Sequence, residues 1–211
     1  MKGKLVVFEG IDGSGTETQS KMLLSALKKQ GVHAERLEYP DYAGDLGGTI
    51  RRFLEKKTEL SAQAQFLLYA LDMVKDREKI DRMLSGGKTV ICDRYFPSTI
   101  AYQGIRGFPE GKALRFAEDF GLPKPDIVFL LSITPEESMR RKMGEHGKLD
   151  RNEADKPLLS AVSASYGRMA GDNVFGRWFV IDGSRKKDEV HAEVLNVLSR
   201  VMPGFTLSRD R

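Results

Sequence analysis

The stretch that most constrains the fold is the first strand and its turn, where Lys4-Leu5-Val6-Val7-Phe8-Glu9 runs into Gly10-Ile11-Asp12-Gly13-Ser14-Gly15-Thr16-Glu17-Thr18-Gln19. An apolar run of strand length stops at a glycine, two more glycines follow, and a helical pattern starts near Thr16. This is the strand, loop and helix layout of a phosphate-binding P-loop. Gly10, Gly13 and Gly15 let the backbone turn tightly with its N–H groups inward, and the positive end of the helix dipole adds to the attraction for an anion. The pattern G-x-x-x-x-G-K-[ST] calls for lysine after Gly15 and a hydroxyl next. Here Thr16 and Glu17 stand in those places, and a hydroxyl follows at Thr18. The loop from Gly10 to Thr18 is expected to cradle phosphates without the usual point charge. A Gly-rich turn joining a core strand to a helix is the plainer alternative.

At 211 residues the chain can bury one sizeable core, and a single domain with insertions is expected. Its 40% apolar and 30% charged residues suit a soluble globular protein, and no apolar stretch approaches the roughly 20 residues that span a bilayer. Met1-Lys2-Gly3-Lys4 leads directly into the strand without a signal pattern, and the lone Cys92 can form no internal disulfide. A cytoplasmic protein is the expectation. With 34 basic against 30 acidic residues, the chain is too balanced to wrap a polynucleotide; small anionic substrates account for its basic clusters as well.

Strands and helices alternate beyond the loop. A helix ends near Gln30-Gly31, Val32 to Tyr39 reads as an edge-side strand of poor alternation, and Asp41 to Gly48 looks too glycine-rich for a regular element. From Thr49 the pattern is helical. Ser61 can cap a longer helix reaching Leu84, with Ala64, Leu67, Leu68, Leu71, Val74 and Ile80 as its apolar stripe. Further strands are expected at Thr89 to Cys92, Asp126 to Ile133 and Trp178 to Ile181, with helices around 112–120, 136–142, 158–169 and 188–201. Nearly continuous apolar strands separated by helices indicate an α/β fold, a parallel sheet covered by helices on both faces. Asp93-Arg94 and Gly10 then share the carboxyl edge, where ligands bind in open parallel sheets. Residues 143–157 are nearly devoid of apolar side chains and read as a solvent-facing flap; the tail beyond Pro203 reads as loosely held.

Phe8-Glu9-Gly10-Ile11-Asp12-Gly13-Ser14-Gly15, Tyr39-Pro40, and Asp93-Arg94-Tyr95 followed by Ser98, Ala101, Tyr102 and Gln103 together resemble the thymidylate kinase family. Ile181-Asp182-Gly183-Ser184 also looks like that family's last strand and adenine-side turn. The likeness runs from Leu5 to about Val201. It implies the P-loop NTPase and nucleoside-monophosphate-kinase fold, transfer of the γ-phosphoryl group of ATP to dTMP with Mg²⁺, a flap closing over ATP, and a homodimer. On this resemblance Arg94 holds the acceptor phosphate, Asp93 orients the metal or its water, and Asp12 faces the acceptor's sugar. Tyr39, Pro40, Tyr69, Ser98, Thr99, Tyr102 and Gln103 complete the dTMP side. Arg140, Arg141, Ser184 and Arg185 belong to ATP, with Lys148 and Arg151 on the flap as further catalytic cations. Each has an ordinary alternative: an ion pair for Asp93-Arg94, a turn residue for Asp12, a core ring for Tyr69, a solvated basic face for the flap.

The chain departs from the family pattern at Thr16, at Glu17, at Met73 where a base-contacting arginine is usual, and at Ser132 where an aspartate is usual. Loss of one charged donor removes about 2.7–4 kcal/mol of transition-state stabilisation. Gly13 with Lys148 and Arg151 resembles the subgroup whose flap supplies the extra cation, and Arg77 is a candidate substitute at Met73. A nucleotide-binding pseudoenzyme and a kinase for another nucleoside monophosphate stand as alternatives.

Overall fold

The computed structural model describes residues 2–202. The tail beyond Pro203, expected to be loosely held, lies outside the described residues. Five parallel strands, β1 (Leu5–Glu9), β2 (Ala34–Glu38), β3 (Thr89–Asp93), β4 (Ile127–Ser132) and β5 (Trp178–Asp182), form one sheet in the order β2-β3-β1-β4-β5. β1 lies in the middle, with Val7 opposite Cys92 on one side and Val128 on the other.

The strand pleat divides the core between two faces. Leu5 and Val7 join Val90, Cys92, Val128 and Leu130 on one face, whereas Val6 and Phe8 join Ile91, Phe129 and Leu131 on the other. Helices α1 (Thr16–Lys29) and α9 (Lys187–Val201) cover the second face through Leu23, Leu27, Val190 and Val194. The first face carries α3 (Ala62–Val74), α4 (Arg77–Ser85), α5 (Phe96–Ile105), α6 (Glu110–Asp119) and α8 (Lys156–Gly171). Each fully buried Leu, Val or Phe contributes about 1.5–3 kcal/mol, so burial on both faces fixes the central strands.

Ser61 caps α3 as expected, its hydroxyl accepting from Ala64 N–H at 3.2 Å. The long helix expected up to Leu84 is instead two helices broken at Lys75-Asp76. Lys75 ion-pairs there with Asp41, Asp72 and Asp76, and Tyr39 donates its hydroxyl to Asp76 at 3.1 Å. The apolar stripe also differs. Phe66, Ala70 and Met73 face the core while Leu67 and Leu71 are exposed, because α3 is apolar on more than one side and periodicity alone does not choose between them.

The helix expected from Thr49 starts earlier, at Gly47, as α2 (Gly47–Leu54). Gly47 serves close approach: a Cβ there would lie 2.5 Å from the Tyr42 carbonyl oxygen and 2.6 Å from that of Asp41. Between β4 and α8, Thr134 caps α7 (Pro135–His146), which ends at the left-handed Gly147. The solvent-facing reading of 143–157 holds at 143–145, 147–148 and 154–157, which are exposed, and is corrected at 149–153. Asn152 and Glu153 are buried, Asp150 accepts both of their backbone N–H groups, and Arg151 N–H donates to the Leu54 carbonyl at 3.1 Å. Polar anchoring on α2 replaces the apolar anchoring that the segment lacks.

Candidate active site

The strand order puts the carboxyl ends of β1 and β3 side by side, Phe8 opposite Asp93, beneath a cleft of about 350 Å³. Gly13 and Gly15, both at positive φ, shape the turn above β1, and Gly15 caps α1. A Cβ on Gly10 would meet Ser14 Oγ at 2.4 Å and the Leu131 carbonyl at 2.7 Å, so this glycine is required by close packing of the loop on β4. Thr16 is buried, and its hydroxyl bonds to Asp93. Glu17 is exposed at the cleft and pairs with Lys21, which holds its carboxyl below the usual range through hydrogen bonding. Thr18 lines the exposed rim.

On the other half of the cleft Arg94 leaves β3 with φ 61, a left-handed conformation that costs a non-glycine residue roughly 1 kcal/mol or more. Its guanidinium donates to the Gly10 carbonyl and to Asp12 Oδ1, both at 2.6 Å, and lies 6.0 Å from the Tyr102 ring centroid. Tyr102 donates its hydroxyl to Asp12 Oδ2 at 3.2 Å, closing an Arg94–Asp12–Tyr102 group from three segments. Asp93 pairs with Arg36 at 2.7 Å; burial raises its carboxyl above the ordinary range, against the pull of Thr16, Arg94 and Arg36.

Ser98, Thr99, Tyr102 and Gln103 all come from α5 and line the cleft, opposite Tyr39, Pro40 and Tyr69. Thr99 Oγ1 and Gln103 Oε1 are buried without a hydrogen-bond partner. Buried polar atoms are almost always paired, so an unpaired couple on a cleft wall is what a polar ligand would satisfy. Tyr39 is buried against Tyr95, with ring centroids 5.9 Å apart. Burial pushes the Tyr69 phenol up; the residue lines the cleft and packs against the Ile50, Phe53 and Leu54 cluster.

The ATP-side expectations divide. Arg141 donates to the Gly13 and Gly183 carbonyls, each at 3.1 Å, tying the P-loop to the turn after β5. In that turn Asp182 accepts Ser184 N–H at 2.9 Å, and Arg185 pairs with Glu193. Arg140 is exposed and held by Glu137. Lys148 and Arg151, expected over the phosphates, do not line the cleft: Lys148 is exposed, and Arg151 pairs with Glu59, donates to the Phe53 carbonyl at 3.0 Å and packs over the Phe53 ring. Arg77 pairs with Asp81 at 3.1 Å within α4 and does not replace an arginine at Met73, which itself lines the cleft.

Sequence reasoning missed four contributors. Glu9 is fully buried at the end of β1, where it accepts from Tyr95 N–H, Ser98 N–H, Ser98 Oγ–H and the Tyr166 hydroxyl. Burial lifts its carboxyl to about 7 against these hydrogen bonds and Arg94. Arg36 reaches Asp93 from β2, and Lys142 reaches the cleft from α7. Asp150 is raised to about 6 by burial, with Asp12 and Glu153 adding to the effect. A carboxylate at the end of an otherwise apolar strand was the available signal for Glu9. Nothing in the local sequence singles out the other three.

Known proteins resemble this chain in sequence and in fold. Residues 8–194 match the family model for thymidylate kinase. The chain is 30% identical over 200 residues to the thymidylate kinase of Plasmodium falciparum, covering 95% of this chain and 91% of that protein. It is 31% identical over 211 residues to a probable thymidylate kinase of Pyrococcus horikoshii, covering 97% and 100%. The solved structure of a thymidylate kinase from Candida albicans has the same fold, with a TM-score of 0.75 at 24% identity over 94% of this chain and 92% of that one.

Proposed function

The chain belongs to the thymidylate kinase family, and from that premise we propose that it transfers the γ-phosphoryl group of ATP to dTMP, giving dTDP and ADP. It is a nucleoside monophosphate kinase, a phosphotransferase. An oxygen of the acceptor phosphate attacks the γ-phosphorus while the bond from that phosphorus to the β–γ bridging oxygen breaks and ADP leaves. Such transfer depends on positioning and on neutralising charge.

The P-loop backbone and the start of α1 bind the donor phosphates. Arg94 serves the acceptor phosphate, since a guanidinium fork matches phosphate oxygens and the cleft already holds its N–H groups toward Gly10 and Asp12. Tyr102 stands against the deoxyribose with Asp12, and Tyr69, Ser98, Thr99 and Gln103 receive the base. The unpaired Thr99 Oγ1 and Gln103 Oε1, in the same cleft as the P-loop, are the observation that carries this reading.

Mg²⁺ accompanies ATP in this proposal and would neutralise charge on the phosphoryl oxygens. Among the described residues no three His, Cys, Asp or Glu side chains cluster to hold a metal. Such an ion would be kept by the phosphates, waters and one or two carboxylates. Asp93, held by Arg36 and Thr16, would orient a metal-bound water.

The segment 143–157 acts as the flap. The protein works as a homodimer, a reading supported by exposed Leu67 and Leu71 on α3. It works in the cytoplasm without a membrane; among the described residues no helix is long and apolar enough to cross one. The test is incubation of purified protein with ATP, dTMP and Mg²⁺. Formation of dTDP above a no-enzyme control is expected, and nucleotide binding without dTDP would make the chain a binding module.

A further inference from the structure

We propose that Lys142, carried on α7, binds the terminal phosphates of the donor in place of the lysine missing from the P-loop, an inference that rests on the kinase reading above. The lysine position itself supplies no charge. Thr16 is buried there, with its hydroxyl on Asp93.

α7 crosses directly over the loop. A Cβ placed on Gly13 would be 3.2 Å from the Ser138 carbonyl oxygen, 3.3 Å from Lys142 Cγ and 3.4 Å from Arg141 Cβ. A side chain at position 13 would press on α7, whose atoms would have to yield by a few tenths of an ångström, and glycine there allows α7 to approach. Arg141, bonded to the Gly13 and Gly183 carbonyls, fixes the helix in this register, and the next residue is Lys142. Its side chain is 17% exposed and shares the cleft with Gly13, Gly15 and Thr16, close enough for its charge to act on Glu17 and to be acted on by Asp12.

Among the described residues lining the cleft, the cations are Arg94 and Lys142, set against a lining rich in carboxylates. Arg94 is committed to Gly10 and Asp12 on the acceptor half. Lys142 lies on the donor half, paired with Glu145 at 2.8 Å and Glu153 at 3.4 Å. A flexible four-carbon stem allows the ammonium to exchange these carboxylates for phosphate oxygens. The other nearby cations do not compete. Arg36 spends its guanidinium on Ser20, Glu38 and Asp93 and does not line the cleft, and Arg151 is docked on Glu59.

The experiment compares the full chain with Lys142→Met, Lys142→Arg and the double variant Thr16→Lys/Lys142→Met, by steady-state rates with ATP and dTMP and by calorimetric titration with ATP, AMP and dTMP. Lys142→Met is expected to lower kcat on the order of 100-fold, as loss of one preorganised charged donor does, with dTMP affinity kept. Lys142→Arg should retain more of the rate, and Thr16→Lys should restore at least about tenfold to Lys142→Met by returning a charge to the terminal phosphates. A parent-like rate for Lys142→Met overturns the proposal, as does failure of Thr16→Lys to raise it. If the parent makes no dTDP, the kinase reading fails separately and binding decides: Lys142→Met must then shrink the preference for ATP over AMP, and an unchanged preference overturns the inference. Should Lys142→Met lose dTMP binding through misfolding, Lys142→Gln against Lys142→Arg, similar in length and different in charge, supplies the same comparison.

Discussion

Tyr166 on α8 donates its hydroxyl to Glu9 Oε2 at 2.9 Å, joining the end of the first strand to a helix 157 residues later. Ser98 donates to the same oxygen at 2.6 Å and lies 3.4 Å from an Arg94 nitrogen, so one buried carboxylate supports the start of α5 and the acceptor-side guanidinium.

Because burial raises Glu9 from 4.5 to about 7, the folded chain holds a proton that the unfolded chain releases. This contribution to stability is complete below the unfolded value near 4.5 and is lost as pH rises through about 7, a change on the order of 3 kcal/mol. Glu9→Gln should remove it. Calorimetric melting of parent and variant from pH 4.5 to 8 should show the parent losing stability relative to the variant as pH rises; a constant difference counts against the assignment.

Arg94→Ala should weaken dTMP binding by roughly 10–100-fold, the range expected from lost charge-assisted hydrogen bonds, while ATP binding changes little. Calorimetry with each nucleotide separates the two, and equal losses would falsify the acceptor-side role.

Tyr102→Ala should narrow the preference for dTMP over its ribose analogue, as follows from the proposed stand of the ring against the deoxyribose. Tyr102→Phe gives up the bond to Asp12 and keeps the ring, so it should preserve most of the preference. The ratio of kcat/KM values is the quantity to follow, and an unchanged ratio in the alanine variant removes the steric account.

Gly47→Ala and Gly48→Ala should differ although they are neighbours in α2. The first forces a Cβ to within 2.6 Å of two carbonyl oxygens and should cost about 1–3 kcal/mol. The second meets nothing within 4 Å and should be neutral or stabilise by roughly 0.4–1 kcal/mol. Denaturant melts of the two variants test this reading of the close approach.

Much of the framework was legible because it depends on local rules. Continuous apolar runs gave the central strands, and Gly10, Gly13 and Gly15 gave the loop, since its backbone cannot be made with other residues. Long-range choices were hidden. α3 presents apolar residues on several sides, so only packing decides that Phe66 goes inward and Leu67 outward. Arg140, Arg141 and Lys142 are three successive cations, and their different fates, toward solvent, loop carbonyls and cleft, follow from the seating of α7 on Gly13. Arg151 read as a phosphate ligand because its anchor, Glu59, lies on a distant segment.

The polar residues that make β2 a weak strand by pattern also guard the sheet against self-association. Among the described residues β2 pairs with β3 alone, which makes it an edge strand, and the exposed side chains of Glu35 and Glu38 place charge along it. Another chain adding there as a sixth strand would have to desolvate those charges. β5, at the opposite edge, carries Trp178-Phe179-Val180-Ile181 with Val180 57% exposed. Aggregation of partly opened molecules should therefore begin at β5, and a lysine at position 180 is the substitution that would give this edge the protection β2 already has.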